Sequence, residues 1–279
     1  MQPAHFLPEQ SELIKKAQYE SQYNPDKLFP ISRKLNRDAI GVPELLPFYG
    51  YDLWNHYEVS WLDNKGKPIA ALAEILYDCD SKNIIESKSM KLYFNTFNNT
   101  NVADAETMRA TVEKDISERI GGAVKVKIIP MSDYRDEKLF AKMQGVCIDH
   151  LDVKCEVYSV DPSLLSTENE VVAEALYSDL LKSNCLVTNQ PDWGSVYIVY
   201  KGKKINHESL LRYIVSYRNC NEFAEQCVER IFMDITRQCQ PQELTVYARY
   251  TRRGGLDINP FRTSKRENVI MDNSRLSRQ

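Results

Sequence analysis

The hydrophobic period changes along this chain in one order and then changes again in the same order, and that doubling constrains the fold most. YDLWNHYEVSWLD (51–63) alternates apolar and polar positions, DNKGK supplies a turn, and KPIAALAEILYDC returns, which predicts a long hairpin. IIESKSMKLYFNTF then changes from strand to helix near Glu86. ADAETMRATVEKDISERI places Met108, Val112, Ile116 and Ile120 at four-residue spacing, one apolar stripe of a helix, and Gly121-Gly122 stops it. AVKVKII follows as an alternating strand.

In the second half, LKSNCLVTN and VYIVYKGKKI read as two strands joined by QPDWGS. HESLLRYIVSYRN reads as a helix, and EFAEQCVERIFMDITRQC as another with Phe223, Cys227, Ile231 and Ile235 in line. ELTVYARYTRR alternates Leu244, Val246, Ala248 and Tyr250 and ends at Gly254-Gly255. Residue identity between the halves is weak, so the parallel is one of pattern. It predicts two similar modules, residues 41–160 and 161–279, divided where VDPSLLSTENE is polar, after an extended, proline-punctuated arm over 1–40. Antiparallel sheets with helices segregated to one face place the chain in the α+β class.

At 279 residues, 43% hydrophobic and 27% charged, the chain is expected to be globular and to bury a core without a metal or disulfide staple. No apolar run reaches the roughly 18–20 residues that span a bilayer, and the start lacks the pattern of a secretory signal, so a cytoplasmic protein with no membrane partner is expected. The net charge of −3 argues against a dedicated nucleic-acid binder. The seven cysteines contain no CxxC pair and read as free thiols in a reducing compartment. The four histidines (5, 56, 150, 207) are scattered, so no zinc site, and no metal of any kind, is expected.

Four segments carry candidate chemistry. Cys185, in LKSNCLVTNQPDWGS, has polar neighbours Ser183, Asn184 and Thr188, and Asp192 follows seven residues later. A thiolate nucleophile needs a partner that moves protons, and Asp192 suits that role, although a strand cysteine is ordinarily a small buried hydrophobe. Glu86, Ser87 and Lys88 stand where a strand gives way to a helix, either a site for a phosphate or polar ligand edge, or a capped helix start. In TRRGGLDINP, two arginines before two glycines suit a phosphate as well as a plain β-turn. In NEFAEQCVER, Glu222 and Glu225 are either first-turn acids or carboxylates for a guanine-like edge. No GxGxxG occurs, so a dinucleotide is not expected to be held in Rossmann fashion.

Together, ESKSMKLYFNTF, LKSNCLVTNQPDWGS, NEFAEQCVERIF and YARYTRRGGLDINPFR resemble the NADPH-dependent nitrile reductases of queuosine biosynthesis, the QueF family, in their long two-module form. The resemblance covers about Leu35 to Gln279. It implies two tandem tunnelling-fold modules, each an antiparallel sheet with two helices, and a homodimer. It implies that Cys185 attacks the nitrile of 7-cyano-7-deazaguanine to give a covalent thioimide, that Asp192 handles the protons, and that two NADPH deliver two hydrides in turn. Ile85, Glu86 and Ser87, with Ala224 and Glu225, are implied to contact the deazaguanine, and Ser87, Lys88, Arg253 and Gly254 the NADPH.

The family carries a histidine directly before the substrate-binding glutamate, where this chain has Phe223-Ala224-Glu225. General acid–base help is worth about 10²–10⁴-fold, so slow reduction with accumulation of the adduct is expected. Other tunnelling-fold enzymes usually hold zinc, which this sequence does not easily assemble. A non-catalytic purine- or pterin-binding module is the alternative, and an RNA-binding role suggested by the arginines of SRLSRQ conflicts with the acidic balance.

Overall fold

A computed structural model describes residues 22–134, 143–266 and 271–279, so about half of the expected arm falls outside the described residues. The chain forms two compact units. The first comprises Met1–Ala39, Tyr51–Glu137 and Arg252–Asp257, the second Ile40–Gly50, Lys138–Thr251 and Ile258–Gln279.

In the first unit the expected hairpin is β2 (Tyr49–Leu62) with β3 (Pro68–Asp78), in antiparallel register from Tyr51↔Asp78 to Leu62↔Pro68. The register shifts between His56 and Val59, a bulge in the first strand. β5 (Val124–Pro130) extends the sheet beyond β3. The region 22–40 is not simply extended. It holds β1 (Pro30–Ser32), paired with β4 (Asn83–Ile85), and α1 (Arg33–Ala39). No apolar period announces α1, because interior polar partners hold it. Arg33 is buried and donates to Asp52 Oδ2 (2.5 Å) and Ser81 Oγ (3.2 Å), and Arg37 donates to the carbonyl of Cys79 (2.6 Å).

Two helices follow. α2 (Ser87–Asn95) is capped by Glu86, and α3 (Ala105–Ile120) by Asp104, whose Oδ1 accepts the N–H of Thr107 (2.7 Å). The stripe Met108, Val112, Ile116 and Ile120 is fully buried, and Gly121 ends α3 in the left-handed conformation (φ +65°).

In the second unit β10 (Leu256–Thr263), β9 (Glu243–Tyr250), β8 (Pro191–Ile205) and β7 (Thr167–Asn184) pair antiparallel in that order. β6 (Val146–Cys147) adds a short parallel pairing to β7. Two sequence expectations are corrected here. β7 ends at Asn184, one residue before Cys185, and begins at Thr167 because its polar first half still pairs with β8. PDWGS belongs to β8, and the turn is Cys185–Gln190. α4 (His207–Ser216) and α5 (Ala224–Cys239) complete the unit. α5 ends on Gln240 at φ +48°, where α3 has glycine.

The helix pairs of the two units share one internal tie. Tyr93, the seventh residue of α2, donates its hydroxyl to Oδ2 of Asp115, the eleventh of α3 (2.6 Å). Tyr213, the seventh residue of α4, donates to Oδ2 of Asp234, the eleventh of α5 (2.7 Å). α3 and α5 are both 16 residues long. Mixed helices and antiparallel strands confirm the α+β class. No described helix is long and apolar enough to cross a membrane.

Candidate active site

Cys185 sits at the mouth of the β7–β8 hairpin and is 4% exposed. Its N–H donates to the carbonyl of Gln190 (2.8 Å), and its own carbonyl accepts the N–H of Asn189 (2.9 Å). Asn189 takes the left-handed conformation (φ +56°), which asparagine tolerates better than most side chains. Inward of the turn, Asn184 pairs with Pro191 and next Ser183 with Asp192. Alternation along the ladder puts Cys185 and Asp192 on one face as diagonal neighbours, with Cα atoms roughly 7–8 Å apart in such an arrangement.

The start of α5 is tied to this rung. The N–H of Asn184 donates to the carbonyl of Cys220 (2.7 Å), and Asn184 pairs with Asn221. A chain of amides, Asn184 Nδ2 to Asn221 Oδ1 (3.0 Å) and Asn221 Nδ2 to Asn189 Oδ1 (2.6 Å), fastens the cysteine turn to the same segment. Three residues after Asn221, Ala224 and the buried Glu225 open α5, whose N-cap residue Phe223 donates its N–H to Gln226 Oε1 (3.1 Å). Glu222 is taken by Arg230 in a two-point ion pair, which excludes it as a ligand-binding carboxylate. Tyr250 (4% exposed) brings its hydroxyl against Ser183 and Cys227. Burial raises the phenol well above its ordinary pKa, so it stays protonated. Tyr250 was not anticipated, because in the alternation of β9 it reads as one more apolar position.

In the first unit Ile85 closes β4, and Glu86 is 2% exposed. The two carboxylate oxygens of Glu86 accept the N–H groups of Lys88 (2.9 Å) and Ser89 (2.7 Å). The reading of this junction as open backbone donors is thereby corrected, since those two donors are already satisfied by the cap. Burial raises the carboxyl pKa, while the two N–H groups, Lys88 and Arg253 pull it back.

Near Glu86 lies the turn Arg253–Leu256. Arg253 N–H donates to Leu256 O (2.9 Å), and Gly254 and Gly255 have φ of +63° and +79°, the conformation of a two-residue hairpin turn. A Cβ on Gly255 would stand 2.5 Å from Glu58 Cδ, and one on Gly254 3.1 Å from Lys91 Cδ. The carbonyl of Gly255 accepts from Tyr57 N–H (2.9 Å) and lies 3.0 Å from His56 Nδ1. His56 is buried, which lowers its pKa to about 4 and keeps it neutral. Lys91 pairs with Glu58 (2.8 Å), and Arg252 stacks on Tyr57 (4.5 Å).

Each unit thus gathers part of the expected set. The second holds Cys185, Asp192, Ala224 and Glu225, and the first holds Ile85, Glu86, Ser87, Lys88, Arg253 and Gly254. His56, Tyr57 and Glu58 around the glycine turn were not anticipated, because they come from the middle of β2, far away in sequence. Among the described residues, no group of three His, Cys, Asp or Glu side chains is placed to hold a metal ion.

Comparison with known proteins bears on both units. Residues 19–128 match the family model described as nitrile reductase, 7-cyano-7-deazaguanine-reductase N-term, and residues 191–269 match that of the QueF-like proteins. The NADPH-dependent 7-cyano-7-deazaguanine reductase of Legionella pneumophila (strain Corby) is 59% identical over 271 residues, covering 97% of this chain and 95% of that protein. The enzymes of the same name from Azoarcus sp. (strain BH72) and Cupriavidus metallidurans are 55% and 52% identical. They cover 93% and 98% of this chain and 92% and 99% of their own lengths.

Proposed function

The chain belongs to the 7-cyano-7-deazaguanine nitrile reductase family, and from that premise we propose how its residues perform the reaction. It is an NADPH-dependent oxidoreductase that reduces the nitrile of 7-cyano-7-deazaguanine, a step of queuosine biosynthesis. In our reading the product is 7-aminomethyl-7-deazaguanine, and the reaction passes through a thioimide on Cys185.

The observation that carries this reading is the placement of Cys185 two residues along the hairpin from Ser183, the ladder partner of Asp192. The Cys185 sulfur bonds to the nitrile carbon, one C–N π bond opens, and the thiol proton passes by way of Asp192 to the nitrogen. Reduction is completed by two additions of hydride and proton. The first hydride and proton convert the thioimide C=N to a C–N single bond. The C–S bond then breaks, the sulfur leaving as thiolate with the C=N of an imine restored, and the second hydride and proton reduce that imine to the amine. Fixing both groups to one ladder holds nucleophile and proton carrier in register, which is where such a step gains most.

Glu225, with Glu86, Ser87 and Ile85, receives the polar edge of the deazaguanine. Glu225 is buried, which suits an acceptor of two N–H donors, whereas Glu86 holds its carboxylate on the N–H groups of Lys88 and Ser89 beside the ligand. For NADPH, the basic side chains of Lys88, Lys91 and Arg253 and the exposed Gly-Gly backbone fit a phosphate-bearing dinucleotide, with Ser87 and Gly254 beside them. NADPH supplies the hydrides when bound, two per nitrile. Ala224 has no proton to give, so reduction after the thioimide is slow and the adduct builds up.

We further read the chain as two tandem tunnelling-fold modules, residues 41–160 and 161–279, in a cytoplasmic homodimer with no direct nucleic-acid or membrane partner. The matching Tyr–Asp ties of the two helix pairs favour the duplication. Intact-protein mass after mixing with 7-cyano-7-deazaguanine, with and without NADPH, tests the mechanism. A gain of one substrate mass that persists when NADPH is added is expected. A gain that vanishes with NADPH would remove the proposed impairment. No gain at all would remove the thioimide.

A further inference from the structure

Beyond the groups that touch substrate, one side chain far along the sequence is wired to the Asp192 strand. Gln279 is 6% exposed, and its amide makes four hydrogen bonds. Its Oε1 accepts from Arg249 Nε (2.5 Å) and from the N–H of Leu276 (3.1 Å). Its Nε2 donates to the carbonyl of Tyr250 (3.1 Å) and to Asn259 Oδ1 (2.8 Å). A primary amide has two donors and two acceptor positions, so every one is used. Arg278, next to it, donates to the carbonyl of Gly194 (3.2 Å).

The two carbonyls so gripped belong to one rung, because Gly194 pairs with Tyr250 across β8 and β9. Gly194 lies two residues from Asp192 on the same strand. A Cβ there would stand 3.3 Å from the Tyr250 ring and 3.4 Å from Leu181, so the ring lies close over the glycine. Through β8 that rung leads to Asp192, whose own ladder partner is Ser183. Arg249, whose side chain leaves β9 on the other face, is itself buried and donates to Tyr247 Oη (2.8 Å) as well as to Gln279.

We propose that Gln279 is a positioning residue for thioimide formation, which fixes the Gly194–Tyr250 rung and through it the setting of Asp192 against Cys185. The inference rests on the thioimide reading above. A buried amide with all four bonds made has one arrangement, whereas a shortened side chain leaves Arg249 and the Tyr250 carbonyl without that partner. Displacements of about 1 Å at reacting groups cost on the order of 10²-fold.

The test is the rate of adduct formation, read by intact mass against nitrile concentration, in the full chain, Gln279→Ala and Gln279→Glu. Glu keeps an acceptor for Arg249 and loses the donor to Tyr250, so it retains the fold if Ala does not. The expected result is a maximal rate lower by tenfold or more in both variants. The nitrile concentration for half-maximal rate should stay within twofold of the parent, and so should the rate of Cys185 alkylation by iodoacetamide. A parental maximal rate in Gln279→Glu overturns the proposal, as does a fall in alkylation that matches the fall in adduct formation. Absence of the adduct in the parent chain would instead overturn the thioimide reading, so the two failures are distinguishable.

Discussion

The hairpin turns of the two units occupy the same place in the order of elements and are built for opposite purposes. In the first unit Asp63 accepts the N–H groups of Lys65 (2.8 Å) and Lys67 (2.9 Å) and folds an exposed polar turn on itself. In the second the turn starts at Cys185, is cross-tied by three asparagines and leaves its thiol 4% exposed. Below the turns the helix pairs are closed by the same Tyr–Asp bond at the same helical positions. The difference teaches that the scaffold is indifferent to chemistry. On the proposed reading, one unit places its reactive group at the hairpin turn and the other its binding carboxylate at the strand-to-helix junction, and both units carry one helix-pair device.

Several substitutions break or sharpen this contrast. The largest effect is expected of Cys185→Ala, which removes the covalent adduct completely in an intact-mass experiment while any change in the Asp63 turn leaves it in place. A persistent adduct in Cys185→Ala would dissolve the distinction between the two turns. Ala224→His should raise steady-state turnover by about 10²–10⁴-fold, measured by NADPH absorbance, because it returns a proton carrier to the first residue of α5. An unchanged rate would mean that the position is not catalytic.

The shared device is tested by paired variants. Asp115→Ala and Asp234→Ala each remove the carboxylate acceptor of a buried tyrosine hydroxyl, so denaturant unfolding should show a loss of roughly 1–3 kcal/mol in each, with Tyr213 keeping its bond to Tyr217 (2.8 Å). Asp115 should cost the more, since Tyr23 (2.8 Å) and Tyr93 both donate to it. A negligible effect at either position would break the equivalence of the helix pairs.

A pH effect belongs to the first unit. His56 has a folded pKa lowered to about 4 against an ordinary value of 6.5. Between these values the unfolded chain binds the proton that the native state refuses, so stability present above pH 6.5 is lost as pH falls towards 4. The loss is bounded at roughly 3 kcal/mol by linkage, and His56→Leu should flatten that limb of the urea-unfolding profile. The smallest expected effect is on affinity. Arg253→Ala should weaken NADPH binding by about tenfold and nitrile binding less, by calorimetry, and equal losses would place Arg253 elsewhere.

Much of this was legible in the sequence where local chemistry decides. The stop at Gly121 and the stripe of α3 were read correctly, and a capped helix start was one of the two readings at Glu86, because capping and helical periodicity act over a few residues. α1 was missed, since its polar RKLNRDA is held by Asp52 and Ser81 from other elements. β10 was missed because Pro260 sits inside it and the preceding glycines read as an end. Cys185 and Asp192 were legible as a pair, but their true setting was not. Leu186 and Val187 make the turn look like a strand, and only the ladder register shows where β7 stops. Tyr250 and Gln279 gave no signal, because their roles depend on a rung assembled from three distant segments.

The open turn of the first unit has a practical consequence. A Cβ on Gly66 would meet nothing within 4 Å, and the hydrogen bonds that fasten the loop converge on Asp63 at its base. A peptide spliced after Asn64 would therefore enter solvent at an exposed turn of the first unit. That splice point offers a built-in handle for immobilising the enzyme on a surface or attaching a fluorophore, a use for which the matching turn of the second unit is closed.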